Sequence, residues 1–222
     1  MKINSTKFKN LNLIKLKKFN DLRGDVIKIF DKKNKSLKFG CFESYITKSK
    51  KGTVRGLHGQ IGKFSQAKLI ICIKGKALDV AIDLRKKSKT YGKVFKKIIN
   101  SKNLLAVYIP KGFVHGYIIL ENNTTMINLC SSAYNPKKEF GINIKSINLN
   151  IPKMKMYFSK KANFGENARL KGNYMISDNN ETLIEKGVFT TCKPNDDCPP
   201  WAMQSESITH NKKKKIIEYK NA

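Results

Sequence analysis

The sequence predicts an all-β barrel or sandwich, and three observations carry that prediction. Residues 77–84 alternate strictly, with Ala77, Asp79, Ala81 and Asp83 on one face and Leu78, Val80, Ile82 and Leu84 on the other. Such period-2 alternation is the signature of a strand. Short apolar segments recur about every 8–12 residues with turn residues between them. No stretch sustains a helical period.

Taken in order, residues 1–20 are basic with scattered Leu, Ile and Phe, and read as one edge strand. Phe19–Asp25 reads as a polar turn before a short strand Val26–Phe30, and Asp31–Ser36 as a Lys-rich loop. Phe39–Thr47 is a strand and Lys48–Gly52 a turn. Gly52–Asp83 forms the centre of the chain. It places His58 in a Gly-flanked R-G-L-H-G-Q turn, Lys68 ten residues later at the head of an apolar run, and then the alternating strand. The small or acidic face of that strand is expected to look into water or a polar cavity, and the aliphatic face to be buried. Beyond it, Arg85–Gly92 is turn-like, Lys93–Asn100 a strand and Ala106–Ile109 another, ending at Pro110-Lys-Gly-Phe-Val-His115-Gly116. Tyr117–Leu120 and Thr125–Cys130 are expected to pair as a hairpin around Glu121–Asn123. Residues 134–152 read as loop and a peripheral strand. From about residue 157 the texture changes to Gly/Asn turns, short strands and a Cys/Pro loop before Trp201, which reads as a separate small β unit.

Two facing strands that carry His, Lys and Asp into one cavity would make a catalytic site. The alternative is a lone histidine in a turn with ordinary sheet residues around it.

Composition narrows the classes. At 222 residues, 40% hydrophobic and 27% charged, the chain suits one soluble domain of ordinary size with a small appendage. The N-terminal residues lack the continuous apolar core of a signal peptide, so a cytoplasmic protein is expected. The formal net charge of +29 invites a nucleic-acid reading. Of the 45 basic residues, however, only Arg23, Arg55, Arg85 and Arg169 are arginines, and the lysines are spread along the whole chain. Base reading and phosphate forks favour arginine, so nucleic acid is not expected as a partner. A lysine-rich surface still attracts anionic substrates. Cys41, Cys72 and Cys130 sit in apolar segments and read as buried thiols, while Cys192 and Cys198 form a C-x5-C pair in a polar loop. No metal is expected, since His58-Gly-Gln and a solitary His115 offer too few ligands.

The motifs resemble one family. Phe19, Asp21, Arg23 and Gly24 form F-x-D-x-R-G, and Ser49–His58 reads S-K-K-G-T-V-R-G-L-H. Lys68, Gly75–Arg85 (G-K-A-L-D-V-A-I-D-L-R), Tyr91-Gly92, Ile109–Gly116 (I-P-K-G-F-V-H-G) and Tyr134–Pro136 follow in order. Together they resemble the nucleotide-sugar epimerases typified by dTDP-4-dehydrorhamnose 3,5-epimerase, over residues 1–157. The resemblance implies a cupin-like double-stranded jelly-roll barrel, a homodimer with strands exchanged across its interface, a nucleotide-sugar substrate and no cofactor. It implies epimerisation of a 4-keto-6-deoxy nucleotide sugar at C3, C5 or both, through an enolate. That chemistry needs a base, a cation for the enolate oxygen and an acid on the opposite face. By resemblance His58 is the base and Lys68 holds the enolate. Arg23 and Arg55 bind the diphosphate, and Gln60, Asp83 and His115 contact the substrate.

The sequence also departs from the family. Thirteen residues after His115, where the family has a tyrosine acid, stands Asn128. The aspartate that orients the histidine is replaced by Ala162, expected polar substrate contacts read Glu43 and Tyr45, and Gly59 stands for an aromatic. Asn128 and Ala162 open a second reading, a cupin that binds a nucleotide sugar without full epimerisation. Residues 163–222 resemble a fragment of the periplasmic domain of the outer-membrane lipopolysaccharide-assembly protein, through Cys192, Pro200-Trp201 and Tyr219–Ala222. That opens a third reading, an envelope-assembly fragment. The expected organisation is a cupin-like domain over 1–157 and a β appendage over 158–222.

Overall fold

The computed structural model describes residues 2–31, 39–142, 156–158, 169–171, 174–177, 180–190, 203–214 and 216–221. The chain divides into two compact units, Met1–Lys51 with Gly56–Ile142, and Gly52–Arg55 with Asn143–Ala222. The expected boundary at 157/158 falls within a strand, Met156–Phe158. Among the described residues no helix is long and apolar enough to cross a membrane.

The strands of the first part of the chain are β1 (Lys2–Ser5), β2 (Asn12–Lys15), β3 (Lys17–Asp21), β4 (Gly24–Lys28), β5 (Glu43–Ser49), β6 (Val54–Gln60), β7 (Lys68–Lys74), β8 (Lys76–Asp83), β9 (Val94–Asn100), β10 (Leu105–Ile109), β11 (Phe113–Ile119), β12 (Thr124–Cys130) and β13 (Glu139–Gly141). They form an antiparallel six-stranded sheet in the order β1-β2-β10-β7-β12-β5, a five-stranded sheet in the order β13-β6-β11-β8-β9, and a separate ribbon of β3 and β4. The expected single edge strand over 1–20 is thus three strands. Asn10, at φ 66°, breaks the chain after β1, and the Thr6 hydroxyl, which donates to Leu11 O at 2.8 Å, closes the turn.

Side-chain alternation sorts the core. Ile70 and Cys72 of β7, Val107 and Ile109 of β10 and Met126 of β12 pack with Ala77 and Ala81 of β8, Phe95 and Ile99 of β9, and Phe113, Tyr117 and Ile119 of β11. One apolar layer therefore joins the inner faces of the two sheets. Leu69, Ile71, Ala106 and Leu129 point the other way, into a second cluster under Ile29, Phe30 and Phe39 on the outer face of the six-stranded sheet. Ile70 and Ile99 have no accessible surface. Burying each such side chain contributes roughly 1.5–3 kcal/mol.

Three expectations are corrected. The alternating strand is β8, but both of its faces are buried, and Asp79 and Asp83 are fully enclosed rather than wet. Enclosure is tolerated because hydrogen bonds reach both carboxylates, from His115 to Asp79 Oδ2 and from Arg85, Ser88 and Thr90 to Asp83, while Asp79 Oδ1 is left without a partner among the described residues. Residues 117–130 do not form a hairpin. β11 pairs with β8 in one sheet and β12 pairs with β5 and β7 in the other, so the turn at 120–123 carries the chain across the barrel. Cys41 is exposed and lies outside β5, whereas Cys72 and Cys130 are buried as expected.

One close approach fixes the two walls of the five-stranded sheet. Gly56 has φ +92°, and a Cβ there would run into the carbonyl oxygen of His115. Only glycine lets β6 pass β11 at this point.

In the second part of the chain β14 (Met156–Phe158), β15 (Arg169–Lys171), β16 (Tyr174–Ser177), β17 (Glu181–Thr190), β18 (Met203–Asn211) and β19 (Ile216–Lys220) form one antiparallel sheet in the order β14-β16-β17-β18-β19, with β15 also on β17. The short strands expected here are present. Ala162, Cys192, Cys198 and Trp201 lie outside the described residues.

Candidate functional site

A cavity of about 290 Å³ opens between the two sheets of the barrel. Its walls are built by strand alternation. On the six-stranded sheet, Lys68 shares the inner face of β7 with Ile70 and Cys72, and pairs across the ladder with Cys130, which pairs in turn with Glu43. One rung along, Asn128 is flanked by Tyr45 and Ile70, and directly opposed residues share a face. On the five-stranded sheet, β13 lies beside β6, which sets Glu139 opposite Gln60 and Gly141 opposite His58. Glu43, Tyr45, His58, Gln60, Gln66, Lys68, Tyr134 and Glu139 all line the cavity.

The centre of this cavity is a chain of three charged or titratable groups. His58 Nδ1 lies 2.8 Å from Glu139 Oε1, so the ring donates from Nδ1 and keeps its Nε2 lone pair for the cavity. His58 Nε2 lies 3.4 Å from Lys68 Nζ, reached from the opposite sheet. Tyr134 donates its hydroxyl to the other oxygen of Glu139 at 3.0 Å. The carboxylate is therefore held from two sides and in turn holds the imidazole.

The electrostatics follow from this packing. Burial, and then the Lys68 charge, push the His58 pKa down from 6.5 to about 4, against the pull of Glu139. Solvent still reaches 38% of the His58 side chain, and water offsets part of that depression. Lys68 is only 7% exposed, and burial draws its pKa below the usual lysine range despite the acidic groups around it. At neutral pH the imidazole is thus unprotonated, with the buried Lys68 nitrogen beside it.

Of the residues expected at the site, His58, Lys68 and Gln60 line the cavity. Gln60 accepts from Asn135 N at 2.6 Å, and its Nε2 is buried without a hydrogen-bonding partner among the described residues. Asn128 is 1% exposed on the inner face and donates to the Tyr117 hydroxyl at 3.4 Å. His115 is buried deeper, with Nε2 2.8 Å from Asp79 Oδ2. Asp83 stands away from the cavity walls at the end of β8. It accepts from Arg85 Nε at 2.8 Å, Ser88 Oγ at 2.6 Å and Thr90 Oγ1 at 2.7 Å, and so anchors a loop. Arg55 is exposed on β6 outside the cavity walls. Arg23 sits at the tip of the β3–β4 ribbon, paired with Asp21 at 2.7 Å and 88% exposed, also outside them.

Glu139 is the main residue that sequence reasoning missed. It follows the Y-N-P motif by three residues, but nothing in that spacing reveals that β13 returns to lie beside β6.

Comparison with known proteins adds an independent line. Residues 5–168 match the family described as dTDP-4-dehydrorhamnose 3,5-epimerase. A dTDP-4-dehydrorhamnose 3,5-epimerase of Shigella flexneri is 32% identical over 72% of this chain and 92% of its own length. The crystal structure of dTDP-4-dehydrorhamnose 3,5-epimerase from Elizabethkingia anophelis superposes with a TM-score of 0.67 at 34% identity, covering 72% of this chain and 92% of that one. That of dTDP-6-deoxy-D-glucose-3,5-epimerase from Legionella pneumophila, in complex with dTDP-4-keto-L-rhamnose, superposes with a TM-score of 0.61 at 32% identity, covering 64% and 77%. The fold is therefore the cupin-like jelly roll expected from the motifs. The resemblance of residues 163–222 to a lipopolysaccharide-assembly fragment is not borne out; the similarity found is to the epimerase family and runs to residue 168.

Proposed function

The chain belongs to the dTDP-4-dehydrorhamnose 3,5-epimerase family of isomerases, and from that premise we propose that its cavity inverts carbon centres beside the ketone of a 4-keto-6-deoxy nucleotide sugar, at C3, C5 or both. The observation that carries the reading is the meeting of His58 Nε2 and Lys68 Nζ, 3.4 Å apart, from opposite sheets inside one cavity.

The steps follow from the groups present. His58 Nε2, unprotonated at neutral pH, removes the proton from the carbon beside the ketone. The electron pair moves onto the ketone oxygen, and the Lys68 ammonium group stabilises the resulting enolate in a poorly solvated site. Glu139 keeps the imidazole in the required tautomer and stabilises its protonated form. Gln60 offers its unpartnered amide to a substrate oxygen. His115 is held by Asp79 in the interior and is not part of the cavity walls. The acid expected at residue 128 is absent, because an asparagine amide does not act as a proton donor at neutral pH.

The working form is a homodimer. All ten residues of β3 and β4 are exposed, with Phe19 and Val26 uncovered at 45% and 63%. A lone two-stranded ribbon with apolar residues in water is marginal by itself. Exchange of this ribbon between two copies covers it and brings Arg23 of one subunit to the diphosphate bound in the other. A guanidinium fork suits that group.

A second reading, supported by Asn128, is a protein that binds the nucleotide sugar without inverting it. The test is incorporation of solvent deuterium into dTDP-4-keto-6-deoxyglucose, followed at C3 and C5. Exchange that disappears in His58→Ala supports the epimerase. Tight binding of the nucleotide sugar with no exchange supports the binder and overturns the epimerase.

A further inference from the structure

The six-stranded wall of the cavity carries a phenol that the family pattern does not provide for. Tyr45 lies on β5 directly across the ladder from Asn128, so the two residues share one rung and one face. The hydroxyl missing from β12 is thus matched by a hydroxyl on the adjacent strand. Resting on the epimerase reading above, we infer that Tyr45 is the proton donor that completes inversion from the face opposite His58.

Position selects this tyrosine over its neighbours. Inversion needs the base and the acid on opposite sides of the substrate, and the two sheets supply opposite walls. His58 stands on the five-stranded sheet and Tyr45 on the six-stranded sheet, and both line the same cavity. Tyr134 also lines it, but its hydroxyl is committed to Glu139, the carboxylate that holds His58, and so belongs to the base's side. Tyr117 is on β11 in the same sheet as His58, is 3% exposed, and lies outside the cavity walls, with its hydroxyl 2.9 Å from Thr47 Oγ1. Tyr45 keeps 38% of its surface accessible, as a group that recovers its proton from solvent requires.

The protons balance. His58 Nε2 takes the carbon-bound proton, and the electron pair of that bond forms the enolate held by Lys68. When the ketone re-forms, the enolate carbon takes the proton of the Tyr45 hydroxyl on its other face and leaves a phenolate. The imidazolium releases its proton to water and the phenolate regains one, with no net redox change and no external reactant.

The experiment measures both half-reactions on dTDP-4-keto-6-deoxyglucose in deuterated water, using the full chain. In Tyr45→Phe, inversion is expected to fall by about 10²–10⁴-fold, the usual contribution of general acid catalysis. Deuterium incorporation with retention persists, because His58 and Lys68 are intact, and that persistence also shows the variant is folded. Placing the phenol back on β12 in Tyr45→Phe/Asn128→Tyr restores inversion at least tenfold over the single variant. Inversion by Tyr45→Phe within twofold of the unaltered chain overturns the assignment. Equal loss of exchange and inversion also overturns it, since Tyr45 then holds substrate rather than delivering a proton. Absence of exchange in the unaltered chain instead sinks the epimerase reading, and this assignment with it.

Discussion

Glu139 holds His58 by its Nδ1 at 2.8 Å, a contact made between two strands, β6 and β13, that are adjacent in space and distant in sequence. The carboxylate fixes the imidazole tautomer that a base acting through Nε2 requires. Replacing Glu139 by Gln removes the charge that supports the protonated ring. Turnover is expected to fall by roughly 10–100-fold or more, the range seen when the group that orients a working histidine is lost. Because Glu139 raises the His58 pKa, the acid limb of the rate profile moves to lower pH in this variant. A pH–rate profile of exchange reads both effects, and a limb that stays in place argues against the contact.

The same histidine links stability to pH. Its folded pKa, about 4, lies below its ordinary value of 6.5. Between those values the unfolded chain binds the extra proton and the folded chain does not, so stability is lost as pH falls through this window. Melting temperatures at pH 7 and pH 5 should therefore differ more for the unaltered chain than for His58→Gln. Equal differences would place the acid sensitivity elsewhere.

In the proposed mechanism Lys68 is the cation that holds the enolate, and keeping a charge in a nearly closed site costs stability. Lys68→Met should lower exchange by about 10²–10³-fold, as loss of an oxyanion-stabilising group does. Its melting temperature should be unchanged or higher, since a buried ammonium group is replaced by a methionine of similar length. A variant that is both inactive and strongly destabilised would show Lys68 to be mainly structural.

The family resemblance implies a substrate contact for Asp83, and its surroundings give a different expectation. Burial pushes its carboxyl pKa up, but hydrogen bonds from Arg85, Ser88 and Thr90 together outweigh that and hold it well below the usual carboxylate range. Its contribution to stability is complete above the ordinary value of 3.8 and is lost as pH falls further toward the folded value. Asp83→Asn should destabilise the fold by about 3 kcal/mol, near the low end for a broken buried pair, because Arg85 stays 24% exposed. Chemical denaturation measures this, and KM for the nucleotide sugar should be unchanged.

The exposed β3–β4 ribbon gives a complementation test. Arg23→Ala and His58→Ala should each lose most activity alone. Subunits of the two variants, unfolded together and refolded as a mixture, should regain it, because a mixed dimer holds one site with an intact pocket and an intact arginine from the other chain. No recovery means that Arg23 serves its own subunit or none.

Much of the site was legible in the sequence, and the limits have physical causes. His58 and Lys68 were legible because their flanking residues and ten-residue spacing are local properties of the chain, although the turn expected around His58 is instead the middle of β6. The alternation at 77–84 located β8 and sorted its faces correctly. It could not say what lies beyond each face, and so it misjudged Asp79 and Asp83, whose donors come from a second strand and from a following loop. The turn at 120–123 looked like a hairpin because turn chemistry is local, whereas the choice of sheet for the next strand is made by the packing of the barrel. Glu139 was missed for the same reason: its role depends on β13 docking beside β6. Tyr45 was noticed only as a departure, since its meaning depends on the rung it shares with Asn128.

The close passage of β6 over the carbonyl of His115 at Gly56 has a consequence for variation of this protein. Position 56 admits no side chain, so the walls bearing His58 and His115 cannot be widened or narrowed independently of each other. A library that samples every residue at 56 should return glycine alone among folded, active members. Attempts to broaden the range of accepted sugars are better directed at Glu43 and Gln66, which line the cavity on a strand and a loop that carry no such backbone constraint.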